Sequence, residues 1–266
     1  MGGLNWLEMV SSILFVAVCA MAGALILMQR MDAILREERE YELPARNANL
    51  IGAVVGGIAG LGIAIIGVYY YLISAEGGGW VLWTGRFAYT LILGASAGHL
   101  VILIHIWLRL DAEFRDLKGK GKGPQSGTLS LRRRKALDAL GRTGDSFLEA
   151  RARDDAILED LMAVFGERLL TGQRALNRIP FYGYLGTVCG ILLMAENLTQ
   201  LDEATESFRV LRNMAGGLVL AFQTTLVALL AYLPLRKIAD LLMNRMAEME
   251  RIWLALREEI LEGDSR

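Results

Sequence analysis

Five stretches of this chain are long and apolar enough to cross a hydrocarbon core, which takes about 20 residues of helix. They are residues 9–28, 50–73, 87–108, 179–198 and 213–235. In lipid, backbone N–H and C=O groups find no water, so each such stretch must bond within itself as a helix. The expected fold class is all-α: a polytopic membrane protein with five transmembrane helices and cytoplasmic helical extensions. Composition agrees. Of 266 residues 54% are hydrophobic, and the mean hydropathy of +0.37 exceeds what soluble domains of this length carry.

The first apolar stretch is not read as a cleaved signal. No basic region precedes it, and Glu8 stands where positive charge would be expected. It is taken as a retained helix. Cys19 and Cys189 both fall inside apolar stretches, where a cysteine packs as a small hydrophobe, so a disulfide framework is not expected. The net charge of −1 gives no sign of a nucleic-acid surface, and no nucleic-acid partner is expected.

Arg and Lys set the orientation. Residues 30–49 carry Arg30, Arg36, Arg39 and Arg46. Residues 109–178 carry Lys118, Lys120, Lys122 and the run Arg132 to Lys135, and the tail opens with Arg236 and Lys237. Residues 74–86 and 199–212 are poor in bases, and the latter hold Asp202, Glu203 and Glu206. The N-terminus is therefore expected outside and the C-terminus in the cytoplasm. This gives four segments: three N-terminal spans (1–108), a cytoplasmic helical region with a Gly/Lys linker (109–178), two further spans (179–235) and a cytoplasmic amphipathic helix (236–266). Within 109–178, residues 118–127 read as a flexible linker, and Gly141 and Gly144 separate two helices. Ser146 and Glu149 make a capping box for the second, which is expected to run nearly continuously into the fourth span. Pro180 suits a helix start.

The last two spans are unlike lipid anchors. Gly183, Thr187, Gly190 and Met194 share one helix face, and Gly186 pairs with Gly190 at small-xxx-small spacing. Gly217, Ala221, Thr225 and Ala228 share a face of the fifth span, with Gln223 and Thr224 beside it. Small residues let backbones approach, which drives helix association where hydrophobic burial cannot. A threonine in such a helix often bonds its own carbonyl three or four residues back. Two hydroxyl-bearing faces on adjacent helices favour a polar lining built from Thr187, Thr225 and Thr224.

Other features read more plainly. Gly52, Gly56 and Gly60 form a packing stripe for the first or third span. His99 and His105 face different directions and do not suggest a shared metal. Gly119-Lys120-Gly121-Lys122 lacks the ending of a phosphate loop. Arg132 to Lys135 is most simply a solvated positive cluster, with lipid headgroups or a cytoplasmic partner as the alternative. Trp80 and Trp83 suit interface anchors. No nucleophile–base pair or metal cluster appears, so no enzyme and no cofactor are expected.

The run Pro180-Phe181-x-Gly183-x-Leu185-Gly186-Thr187-Val188-x-Gly190 resembles the second-helix motif of the TolQ and ExbB proteins. Residues 217–234 are similar to their third helix, with Thr225 on the family threonine and Pro234 on its closing proline. The same helices correspond to the last two of the flagellar stator protein MotA. The chain departs from the pattern at Leu220, where ExbB and TolQ carry a glutamate, at Ala228, where they carry glycine, and in having three preceding spans. The resemblance implies a channel-forming subunit of a bacterial inner-membrane motor driven by proton or sodium motive force. It also implies a pentameric homo-oligomer around a dimer of a MotB-, ExbD- or TolR-like partner whose single transmembrane helix bears an aspartate. The cytoplasmic helices would enlarge the assembly, and H⁺ or Na⁺ would be the transported ion. Neither of the last two spans holds an ionisable residue in its core, so the chain is not expected to conduct alone. The alternative is a non-conducting membrane scaffold that assembles partners through its glycine faces. A secondary transporter is disfavoured by the absence of a repeat and of intramembrane ionisable groups.

Overall fold

Long apolar runs uninterrupted by turn residues produce a chain made of helices. A computed structural model describes residues 6–40, 43, 48–70, 79–117, 128–142, 147–199 and 207–263. Seven helices lie among them: α1 (Trp6–Glu40), α2 (Ala48–Val68), α3 (Trp80–Leu117), α4 (Leu129–Arg142), α5 (Phe147–Leu176), α6 (Arg178–Leu198) and α7 (Ser207–Gly263). No strand occurs among the described residues. Five helical stretches have the length and apolarity to cross a membrane, so this is a multi-pass all-α membrane protein. The linker expected at 118–127 and the capping residue Ser146 lie outside the described residues.

Several boundaries differ from the sequence reading. One agrees: the helix expected to run nearly continuously into the fourth span does so, with only the turn residue Asn177 between the end of α5 at Leu176 and the start of α6 at Arg178. Gly141 lies in the last turn of α4 rather than beyond it. Helix α3 begins at Trp80, which makes Arg86 helical and buried instead of part of a turn. Pro180 falls in the first turn of α6, where its missing N–H leaves no bond unmade. The fifth span continues into the amphipathic helix of 236–266, as its helical spacing suggests, so Pro234, placed at a helix end by the resemblance, lies inside α7. The lost backbone bond is tolerated where adjoining turns keep theirs, as in many apolar helices.

The described chain forms two compact units. The first comprises Met1–Gln29, Asn49–Val101 and Arg174–Arg236; the second comprises Arg30–Ala48, Ile102–Gln173 and Lys237–Arg266. In the first, the glycine stripe of α2 meets α1. A Cβ added at Gly56 would overlap the Gly23 carbonyl, and one at Gly60 would overlap the Cys19 carbonyl. These are backbone contacts, which cannot swing aside. Gly57 has room: its nearest neighbours would be the Ala20 oxygen at 3.9 Å and the Ala24 Cβ at 4.0 Å.

The second unit is held by buried ion pairs. The Glu38 carboxylate lies 2.6 Å from His105 Nε2 and accepts from Arg109 Nη2 at 2.5 Å and Arg168 Nη1 at 2.7 Å. Glu113 accepts the backbone N–H groups of Leu129 (2.8 Å) and Ser130 (2.9 Å). A carboxylate thereby satisfies the free donors at the start of α4. The basic run at 132–135 is split: Arg132, Arg134 and Lys135 are exposed, but Arg133 is only 1% exposed. Its guanidinium forks onto Asp154 at 3.2 and 2.7 Å, donates to the Trp253 carbonyl at 2.5 Å and sits 5.5 Å from the Trp253 ring. Arg257 bonds Asp155 and lies 3.5 Å from Asp154. The solvated-cluster reading thus fails at Arg133, because α4 turns that side chain inward onto a carboxylate of α5.

Two outcomes follow. Gly60→Ala should lose about 1–3 kcal/mol through overpacking, whereas Gly57→Ala should be neutral or slightly stabilising; thermal unfolding of the detergent-solubilised protein followed by circular dichroism separates them. Asp154→Ala strands the Arg133 charge and should cost roughly 3–5 kcal/mol, visible as early protease cleavage within residues 128–173 on heating.

Candidate functional site

The features that drew attention in the sequence meet where α6 packs on α7 in the first unit. Two glycines let the helices touch. A Cβ at Gly190 would stand 2.8 Å from the Ala221 Cβ and overlap the Gly217 carbonyl. A Cβ at Gly217 would be 2.6 Å from the Gly190 carbonyl. Two turns away, Gly183 receives Ala228, whose Cβ would be 2.7 Å from an added methyl. Gly186 receives the Thr224 side chain, with its Cβ and Cγ2 each at 2.5 Å from such a methyl. Gly183, Gly186, Gly190, Gly217 and Ala221 are therefore seam residues, and each is buried.

This close approach brings two hydroxyls together. Thr187 Oγ1 lies 2.5 Å from Thr225 Oγ1. Thr187 Oγ1 is also 3.2 Å from the Gly183 carbonyl and 3.3 Å from the Ala221 carbonyl. Thr225 Oγ1 is 3.1 Å from that same Ala221 oxygen. Each hydroxyl has one proton to give, so the pair can bond in more than one complete way, of which two use the shorter carbonyl contacts. In one, Thr187 donates to Thr225 and Thr225 donates to Ala221 O. In the other, Thr225 donates to Thr187 and Thr187 donates to Gly183 O. The two differ only in hydroxyl rotation, and neither leaves a proton unpaired. Both side chains are half-buried, so each oxygen can still offer a lone pair outward.

Thr224 takes a different role from the one expected. It is 0% exposed, and its hydroxyl is within reach of the Leu220 carbonyl at 2.9 Å and the Ala221 carbonyl at 3.1 Å. Seated in the notch of Gly186, it fills the seam and presents nothing to a lumen. The adjoining residue Leu220 is buried too. A Cβ at Gly85 of α3 would meet Leu220 Cδ2 at 2.7 Å and Cys189 Cβ at 3.1 Å. Leu220 is thus covered by α3.

Sequence reasoning passed over a second polar thread. Tyr89 Oη donates to Gln223 Oε1 at 3.3 Å, tying α3 to α7 beside Thr224. Tyr89 stacks on Tyr70 with centroids 6.1 Å apart, and the Arg86 guanidinium lies 4.6 Å over the Tyr70 ring. A lone arginine six residues into an apolar helix was the available signal. Among the described residues no cluster of His, Cys, Asp or Glu could hold a metal.

The model of the MotA/TolQ/ExbB proton channel family matches residues 149–254, which include all of α6 and the seam of α7. No curated protein and no solved structure matches the chain.

The seam yields a direct test. Gly186→Ala should destabilise the protein by about 1–3 kcal/mol, and adding Thr224→Gly should recover part of that loss. A double-mutant cycle in thermal unfolding measures the coupling; strict additivity would show that the two residues do not share the notch.

Proposed function

We propose that this membrane subunit, whose residues 149–254 match the model of the MotA/TolQ/ExbB proton channel family, forms the channel scaffold of an ion-driven motor in a bacterial inner membrane. Family members work with partner proteins in membrane complexes. The finer reading is a pentamer whose α6 and α7 surround two single transmembrane helices, each bearing an aspartate of a MotB, ExbD or TolR type. The N-terminus lies outside and the C-terminus in the cytoplasm, as the distribution of Arg and Lys directs.

The observation that carries this reading is the Thr187–Thr225 hydroxyl pair bridging the two helices at 2.5 Å. A channel through lipid needs an ionisable relay, and the α6–α7 seam contains hydroxyls and carbonyls without one. A partner carboxylate supplies that missing group. When ionised, it takes a hydrogen bond from Thr187 or Thr225, whose hydroxyl rotates its proton off the seam carbonyl and outward. Once protonated, it donates to a hydroxyl oxygen instead. The hydroxyl pair answers either state by rotating its two protons, with no charge of its own to desolvate. The transmembrane potential adds ~2.3 kcal/mol per elementary charge per 100 mV, enough to favour one rotational step by more than tenfold. The proton, or sodium ion, is the transported species, and no cofactor is required. Large apolar side chains on α6 and α7, among them Tyr184, Val188, Phe222 and Leu226, are exposed in the single chain and supply the surface that neighbouring copies or lipid would cover.

Co-expression with the single-helix partner and reconstitution into vesicles holding a pH-sensitive dye tests the reading. A Thr187→Val, Thr225→Val double variant should lower proton flux by at least about tenfold, the cost of one lost charge-assisted hydrogen bond, without changing subunit stoichiometry. Thr225→Ser should retain most of the flux. Unchanged flux in the double variant rejects the pore role, and an assembled wild-type complex that carries no ions supports a non-conducting scaffold.

A further inference from the structure

Arg86 is a buried cation in an apolar helix with an unmade hydrogen bond. The residue is 8% exposed, and its Nη1 is buried without a hydrogen-bond partner. The guanidinium carbon lies over two aromatic rings, 4.6 Å from the Tyr70 centroid and 5.4 Å from the Trp83 centroid. Ring faces stabilise the charge but accept little from N–H groups that lie in the guanidinium plane. Those donors need an oxygen, and a buried guanidinium does not shed its proton to escape the need.

An open cavity of about 440 Å³ adjoins it, lined by Ile66, Gly67, Tyr70, Trp83, Thr84, Arg86, Phe87 and Thr90. Apart from the guanidinium, the wall supplies little polarity. The Thr84 hydroxyl is turned onto the Trp80 carbonyl at 2.9 Å and the Thr90 hydroxyl onto the Phe87 carbonyl at 2.7 Å. The occupant that suits such a cavity has one anionic end and an apolar remainder. Trp80 and Trp83, the first turn of the same helix, are exposed. Indoles there mark the headgroup level of a bilayer, where the abundant anion attached to an apolar chain is the phosphate diester of a phospholipid.

We propose that Arg86 and its cavity form a phospholipid site, with the guanidinium donating to the phosphate oxygens and an acyl chain lying against Ile66, Gly67 and Phe87. A second cavity of about 420 Å³ shares Ile66 and Tyr70 and continues to Tyr89 and Gln223 of α7. A lipid in the first cavity therefore packs on the ring that supports Tyr89, the residue bonded to the helix of the threonine pair. This site stands whether or not the channel reading holds, since none of its residues belongs to the Thr187–Thr225 pair.

The full-length protein in mild detergent, titrated with dioleoylphosphatidylglycerol and examined by native mass spectrometry, tests it. The wild type should retain one lipid per chain at low lipid concentration. Arg86→Gln should weaken retention by at least about tenfold, because a neutral amide loses the charge-assisted fork. Arg86→Lys keeps the charge but not the planar fork, so it should fall between the two, and it serves as the contrast if the glutamine variant does not insert. Excess inorganic phosphate should leave lipid occupancy unchanged, since it has nothing for the apolar wall. Equal retention by wild type and both variants overturns the site. Displacement by inorganic phosphate overturns the lipid assignment in favour of a free anion, and a polypeptide whose co-purification depends on Arg86 would overturn it in favour of a protein partner.

Discussion

The contact of Gly190 with Gly217 is the constraint from which the rest of the α6–α7 arrangement follows. In hydrocarbon, two apolar helices gain nothing by hiding leucines from lipid, so they associate through close packing and hydrogen bonds. A methyl at either glycine would collide with the carbonyl of the other. Without it, the helices come near enough for Thr187 to reach both the Thr225 hydroxyl and the Ala221 carbonyl across the seam. Polar chemistry in this membrane segment is thus a consequence of missing side chains.

The same contact decides what the site excludes. Ala221 O lies within reach of three threonine hydroxyls, so the seam is saturated with neutral donors and closed to a charge of its own. Leu220 and Cys189 lie against Gly85, so apolar side chains fill the space between α3 and the seam. Buried carboxylates are found in the second unit, where Glu38, Asp154 and Glu113 are each surrounded by donors. There the physics is reversed: several charged groups are buried together, and each is tolerable only because the others are present.

Much of this was legible in the residues. A run of some 20 apolar residues has few alternatives to a helix in lipid, and a glycine recurring every fourth position marks the side on which that helix packs. Thr187 and Thr225 stood out because they share faces with those glycines. The misreadings were of one kind. Arg133 looked like its exposed neighbours Arg132 and Arg134, since nothing in a basic run says which member turns toward Asp154, a residue on another helix. Thr224 looked like Thr225, yet one step along a helix rotates a side chain by about 100°, enough to move it from the hydroxyl pair into the Gly186 notch. Pro234 was placed at a helix end by the resemblance, though a proline's effect depends on whether the surrounding turns keep their own bonds.

Sequence alone determined the class of the molecule: helical, membrane-spanning, with its small and hydroxyl-bearing residues drawn to particular faces, because length, apolarity and spacing are local properties written along one dimension. Tertiary structure decided which faces meet, that α2 packs its glycines on α1, that α3 covers Leu220, and that Arg86 is left with an unpaired donor beside an open cavity. These depend on atoms far apart in the chain reaching contact, and a hydrogen bond or a collision is settled over tenths of an ångström that no spacing of residues can encode.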